Sequence, residues 1–218
     1  ARQPEQKKER KRAILEAAVD LWTTTTFESF TMSELAQRLG LAKGTLYLYF
    51  ETKEQLFIVL FEQMLEEWLA ELAQRYCCLP VPATPGQVAL VMAESLEHRH
   101  PMIRLFPLMH HLAGNVFEEE EMAAFDRRVL SYLLPVAQQV ERCLPDLRPG
   151  WGFRFLLHAR AVTIGTFQRA DKPEIARRVA IENPDLRGFD ITFEREFLFA
   201  VEALLRGLLE MSGDPQVE

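Results

Sequence analysis

Apolar residues recur at helical spacing near both ends of the chain. Ile14, Leu15, Ala18, Leu21 and Trp22 share one helix face, and so do Phe197, Val201, Leu204, Leu205 and Leu208. No run of period-two alternation lasts long enough to specify a strand. Breakers divide the chain unevenly. Proline is absent between Glu5 and Leu79, Gly40 and Gly44 are the glycines of that stretch, and Pro80, Pro82 and Pro85 then mark an inter-helix loop. Residues 53–78 hold neither breaker and predict a helix of about 25 residues, roughly 37 Å long, able to join two domains. Further helices are expected over 85–98, 101–113, 118–144, 150–170 and 192–211. Residues 171–191, with Arg177, Arg178, Pro184 and Gly188, suit a loop, a short helix or a dimer-spanning segment equally. The fold class is all-α, with a small N-terminal domain over 1–53 and a larger helical domain over 54–218.

Residues 30–57 contain the most specific local grammar. Thr31 with Glu34 forms a capping box, and Phe30 and Leu35 flank it as a hydrophobic staple. Leu35, Ala36 and Leu39 lead to Gly40, which can take the left-handed conformation that ends a helix and turns the chain. A second helix then starts near Ala42 and Lys43, and small Ala36 lets it cross closely while Leu41 and Leu46 bury against the first. This is helix-turn-helix spacing. A second capping box, Thr52 with Gln55, confines the second helix to about Lys43–Tyr49. Its exposed residues suit a DNA groove. Lys43 supplies charge, Gly44 allows close backbone approach, and the hydroxyls of Thr45, Tyr47 and Tyr49 can donate to phosphate oxygens. Thr31, Ser33 and Lys53 lie at helix N-termini, where free amides and the dipole favour phosphate.

Charge changes the picture because it is uneven. The 218 residues have a formal net charge of −7, yet residues 1–53 hold nine Lys or Arg against seven Asp or Glu. Arg2, Lys7, Lys8, Arg10, Lys11 and Arg12 cluster in the first twelve positions, a basic N-terminal arm suited to a polyanion. Composition is that of a globular protein, with 48% hydrophobic and 26% charged residues. The longest apolar runs, 56–61 and 88–93, fall far short of the roughly 20 residues of a membrane span. Three cysteines, Cys77, Cys78 and Cys143, offer no disulfide framework. A cytoplasmic protein with no membrane association is expected.

With these residues in view, positions 13–57 resemble the DNA-binding domain of the TetR family of transcriptional regulators. The likeness is strongest over Gly40-Leu41-Ala42-Lys43-Gly44-Thr45-Leu46-Tyr47-Leu48-Tyr49-Phe50 and Thr52-Lys53-Glu54. It implies a homodimer with an N-terminal three-helix DNA-binding domain and a larger effector-binding and dimerisation domain. It also implies that Lys43, Gly44, Thr45, Tyr47, Tyr49 and Lys53 face DNA. Three positions depart from the family pattern. Thr26 replaces a glycine at the end of the first helix, Phe30 replaces a threonine, and Ala42 replaces the serine cap of the recognition helix at a cost of about 1 kcal/mol.

The remainder is less explicit, because an apolar effector pocket uses the same side chains as a core. Trp68, Phe106, Met109, His110 and Phe117 are candidates to line such a pocket, and Arg154 with His158 could meet an anionic ligand. Ordinary packing or surface pairing is the competing reading for each. Phe193, Phe197, Val201, Leu204, Leu205 and Leu208, with the 151–167 region, could form either a dimer interface or an internal core. His98, His100, His110, His111 and the cysteines lack zinc-ligand spacing, and no phosphate loop, nucleophile elbow or carboxylate pair suggests catalysis. No cofactor is expected. The sequence therefore points to a ligand-responsive repressor, not an enzyme, released from a near-palindromic double-stranded operator by a small-molecule effector. The alternative is a metal-binding or enzymatic helical bundle with an incidental hairpin.

Overall fold

The computed structural model describes residues 2–213, with side chains from Glu5 onward, and every regular element among them is helical. In chain order these are α1 (Arg2–Thr24), α2 (Met32–Arg38), α3 (Lys43–Tyr47), α4 (Lys53–Cys77), α5 (Pro85–Leu96), α6 (His100–Ile103), α7 (Phe106–Val116), α8 (Glu119–Cys143), α9 (Trp151–Ala170), α10 (Glu174–Glu182) and α11 (Phe193–Ser212). A 3-10 turn over Pro184–Phe189 precedes α11. No described helix is long and apolar enough to cross a membrane.

Two compact units emerge from the packing. The first runs to Leu65 and takes in Arg104–Phe125; the second comprises Glu66–Ile103 and the chain from Asp126 onward. These limits do not follow a cut after residue 53. The first turns of α4 supply Leu56, Phe57 and Leu60 to the first core. Phe57 is its hub, with Trp22, Phe27 and Phe30 packed edge-on at centroid distances of 5.1, 5.1 and 4.8 Å. Phe61 meets Phe106 of α7 in the same way at 5.3 Å.

The second unit is built on α11, which packs against α5 and α9. Trp68 donates its indole N–H to Ser95 Oγ at 2.8 Å, and buried Tyr76 donates to the Val88 carbonyl at 3.2 Å. Burial also raises the pKa of the Tyr76 phenol, keeping it a neutral donor. Where α9 crosses α8, Gly152 lies so close that an added Cβ would stand 2.3 Å from the Ala137 carbonyl oxygen. Glu141 accepts a hydrogen bond from the Gly152 amide at 2.9 Å, satisfying a donor at the start of α9.

Several expectations are resolved or corrected. Of the face left open between a dimer interface and an internal core, Phe193, Phe197, Val201, Leu205 and Leu208 are buried within the second unit, as in the core alternative, and Leu204 is half-buried. The large apolar side chains that α9 and α11 expose are Leu157, Phe199 and Met211. The helix expected over 101–113 breaks between Ile103 and Phe106. Pro107 has no N–H to give the residue-103 carbonyl and its ring would crowd it, so Pro107 sits in the first turn of a new helix. Residues 171–191 resolve into α10 and the 3-10 turn. The basic arm continues α1 as helix, with Lys7, Lys8, Arg10, Lys11 and Arg12 exposed along it; the side chain of Arg2 lies outside the described residues.

Candidate DNA-binding site

The turn between α2 and α3 closes as its residue types require. Gly40 has φ of +64°, its amide donates to Gln37 O at 3.1 Å, and the Leu41 amide donates to Ala36 O at 2.9 Å. That pair of bonds is the Schellman arrangement, which satisfies the last carbonyls of α2 and redirects the chain. At the other end of α2, the Glu34 amide donates to Thr31 Oγ1 at 3.2 Å, but the Glu34 carboxylate pairs with Arg38 at 3.6 Å instead of returning to the Thr31 amide, so the cap forms without the expected full box. Buried Phe30 and Leu35 complete the staple. Leu46 anchors α3 by full burial, whereas Leu41 is only half-buried. As anticipated, Ala42 provides no side-chain cap to α3.

Cap chemistry also explains how Thr26 replaces a glycine. The chain after α1 avoids a left-handed residue, because the Thr26 amide donates to Ser29 Oγ at 3.0 Å and the Ser29 amide to Thr26 Oγ1 at 3.3 Å. Thr23 donates to the Asp20 carbonyl at 2.7 Å and Thr25 to the Leu21 carbonyl at 2.8 Å. Two further carbonyls at this helix end, Trp22 O and Thr25 O, accept from the Arg104 guanidinium at 2.9 and 2.7 Å. The guanidinium also lies 4.2 Å from the Trp22 ring. A cation at the negative end of α1 is the favoured polarity.

Of the residues expected to face DNA, Thr31, Ser33, Lys43, Gly44 and Tyr47 are exposed, and Thr45 and Tyr49 are half-buried. Lys43 and Tyr47 lie one turn apart, with the ammonium 5.8 Å from the tyrosine ring centroid. Lys53 is differently engaged. Its ammonium donates to the Phe27 carbonyl at 2.7 Å and lies 4.2 Å from the Phe27 ring, bracing the end of the α1–α2 connection. Nearby Glu28 has its pKa lowered, chiefly by a backbone hydrogen bond and then by the Thr26 hydroxyl, with Lys53 adding a smaller attraction.

Two features escaped the sequence reading. Leu48, directly after α3, is 77% exposed, the most exposed large hydrophobic side chain among the described residues. A groove of about 790 Å³ is lined by Gln6, Lys7, Glu9, Arg10, Ala13 and Tyr49, bringing the basic stretch of α1 beside the end of α3. Lys11 lies 5.5 Å from the Phe50 ring on the same side. The signal for the groove was the helical period itself: continuing α1 backward places its cations near the turn that follows α3.

The proposed effector-pocket residues do not form one constellation within either unit. Phe106, Met109, His110 and Phe117 belong to the first and Trp68, Arg154 and His158 to the second. Trp68, Phe106 and Met109 are buried in packing, and Phe117 lies 5.5 Å from Phe125. His110 and His158 are exposed; so is Arg154, which lies over the Trp151 ring at 5.2 Å. Among the described residues no group of three or more His, Cys, Asp or Glu is placed to hold a metal.

A Schellman-turned helix pair whose outer helix, Lys43–Tyr47, is shorter than the expected Lys43–Tyr49 defines a helix-turn-helix protein. Comparison with known proteins makes this specific. Residues 14–60 match the model described as bacterial regulatory proteins, tetR family, and residues 62–211 match the tetracyclin repressor-like C-terminal domain. The chain belongs to the TetR family. It is 35% identical over 106 residues to the HTH-type transcriptional regulator RutR of Escherichia coli K12, covering 48% of this chain and 49% of that protein. It is 29% identical over 108 residues to the HTH-type transcriptional repressor KstR2 of Mycolicibacterium smegmatis, covering 47% and 51%. The matched segments thus span about half the length of these relatives. In fold it is similar to the fatty acid degradation regulator FadR of Bacillus halodurans, with TM-score 0.54 and 15% identity over 95% of this chain and 97% of that one.

Proposed function

We propose that the protein is a dimeric transcriptional repressor, without catalytic activity, that binds a near-palindromic operator and is released by a small-molecule effector. The observation that supports this most directly is the outer face of α3. Lys43, Gly44, Tyr47 and the adjoining Leu48 are exposed while Leu46 is buried, beside the cationic flank of α1. A narrow, lightly decorated helix with cations at its edge fits the major groove, with phosphate contacts for position and side chains left over for bases. Selection of bound sequences from random duplex DNA tests it. An inverted repeat with half-site centres about 34 to 36 Å apart is expected; recovery of no duplex refutes it.

Two copies are needed for such symmetry, and Leu157 of α9 with Phe199 of α11 supplies exposed apolar surface for a helix-on-helix interface. Replacing both by Glu should give a monomer by sedimentation and abolish high-affinity operator binding.

Release by ligand is favoured by the position of α7 within the unit that holds the helix-turn-helix. Arg104, just ahead of α7, is bonded directly to the end of α1. A ligand that shifts α7 therefore acts on the DNA-binding helices through bonded contacts. Coupling of about 1 to 3 kcal/mol would weaken operator binding about 5- to 150-fold. Titration of candidate ligands into the protein–operator complex measures it, and a ligand bound tightly with no change in DNA affinity would not be the effector.

A further inference from the structure

Helical spacing arranges the outer face of α3 and its C-terminal residue as two neighbouring rows, Lys43 with Tyr47 and Gly44 with Leu48, each pair four residues apart. The first row has an ammonium and a phenol, groups that meet phosphate. The second has neither donor nor acceptor on its side chains. Gly44 has ordinary helical φ, and an added Cβ there would meet nothing within 4 Å. Neither backbone conformation nor internal packing asks for glycine at this position, although glycine weakens a helix. A surface that comes close from outside does ask for it. One turn along the same row stands Leu48, 77% exposed.

We propose that Leu48 is a base-reading residue that selects thymine in each operator half-site, an inference that rests on the DNA-binding reading above. In the major groove the edges of the bases offer hydrogen-bonding groups and one apolar feature, the thymine C5 methyl. Leucine can gain from that methyl alone. Against phosphate it would displace water and return no hydrogen bond. Gly44 brings the helix near enough for a side chain of leucine's length to reach the groove floor, and Lys43 and Tyr47 hold the neighbouring strand.

The test uses the full-length protein and a duplex recovered by selection from random DNA, with each thymine replaced in turn by deoxyuridine, which lacks only the methyl. One position per half-site should weaken binding about three- to five-fold, the worth of burying one methyl group, and about the square of that when both half-sites are changed. Leu48→Ala should remove the difference between thymine and deoxyuridine at that position and at no other. Because Leu48 lies outside the core, this variant should keep the wild-type melting temperature. Repeating the selection with Leu48→Gln should lose the thymine preference there, since an amide pairs with adenine. The inference is overturned if every deoxyuridine duplex binds like its thymine parent, or if the sensitive position stays equally sensitive in Leu48→Ala. Failure to recover any duplex overturns the DNA-binding reading instead, so the two are distinguishable.

Discussion

Gly44→Ala should make the protein more stable and a worse DNA binder. Gly44 lies in α3 at negative φ, and the new Cβ would stand in open space. Alanine restricts the unfolded chain and favours helix, worth about 0.5 to 1 kcal/mol near a helix start. For a chain of this size that is a rise in melting temperature of about 1 to 4 °C. The same methyl projects toward the surface that the helix presents to the groove. Forcing a methyl into a close-packed contact costs about 1 to 3 kcal/mol, so operator affinity should fall about 5- to 150-fold per half-site. Thermal melting followed by circular dichroism and a fluorescence-anisotropy titration at fixed salt read the two effects separately. Unchanged or tighter DNA binding with raised stability would show that Gly44 does not lie at a close approach. Lowered stability would refute the account of its free space.

Other outcomes follow from packing. Gly152→Ala puts a Cβ against the Ala137 carbonyl at 2.3 Å, and α9 must shift from α8; a loss of about 1 to 3 kcal/mol is expected in urea denaturation. Arg104→Ala removes two charge-assisted hydrogen bonds and a stacked guanidinium from the end of α1, lowering stability by about 1.5 to 3 kcal/mol. Arg104→Lys should recover only part of it, since an ammonium cannot span both carbonyls in the same way. Cys77 and Cys78 are exposed, whereas Cys143 is buried and its thiol pKa is raised chiefly by that burial. A thiol reagent at pH 8 should therefore modify two cysteines quickly and the third only on unfolding; rapid modification of all three would contradict the packing around Cys143.

Local chemistry was the most legible part of the sequence. Gly40, the Thr31 cap, the Phe30 staple and the buried faces of α1 and α11 depend on residues a few positions apart, so spacing alone exposes them. Both capping boxes form only in part: Glu34 turns to Arg38 instead of the Thr31 amide. The Gln55 amide does donate to Thr52 Oγ1 at 3.0 Å, but the Gln55 side chain accepts from Glu51 N instead of the Thr52 amide. Non-local packing was not legible. Nothing in the apolar period of α11 distinguishes a face that meets α5 and α9 from one that meets another copy, and both need the same residues. Leu48 was missed for a related reason. It follows Tyr47 in a segment where apolar and polar residues alternate, and only the direction of α3 after its turn shows that Leu46 points inward and Leu48 out.

The reach of Arg104 back to α1 has a practical consequence for anyone dissecting this protein. A fragment that stops where the N-terminal family match stops, at residue 60, keeps every amino acid of the helix-turn-helix but leaves out Arg104, Phe106 and α7. Trp22 O and Thr25 O would lose their guanidinium donor, and the Phe61–Phe106 ring contact would be gone. Chimeras that graft this reading head onto a foreign sensor should therefore import residues 104–125 with it.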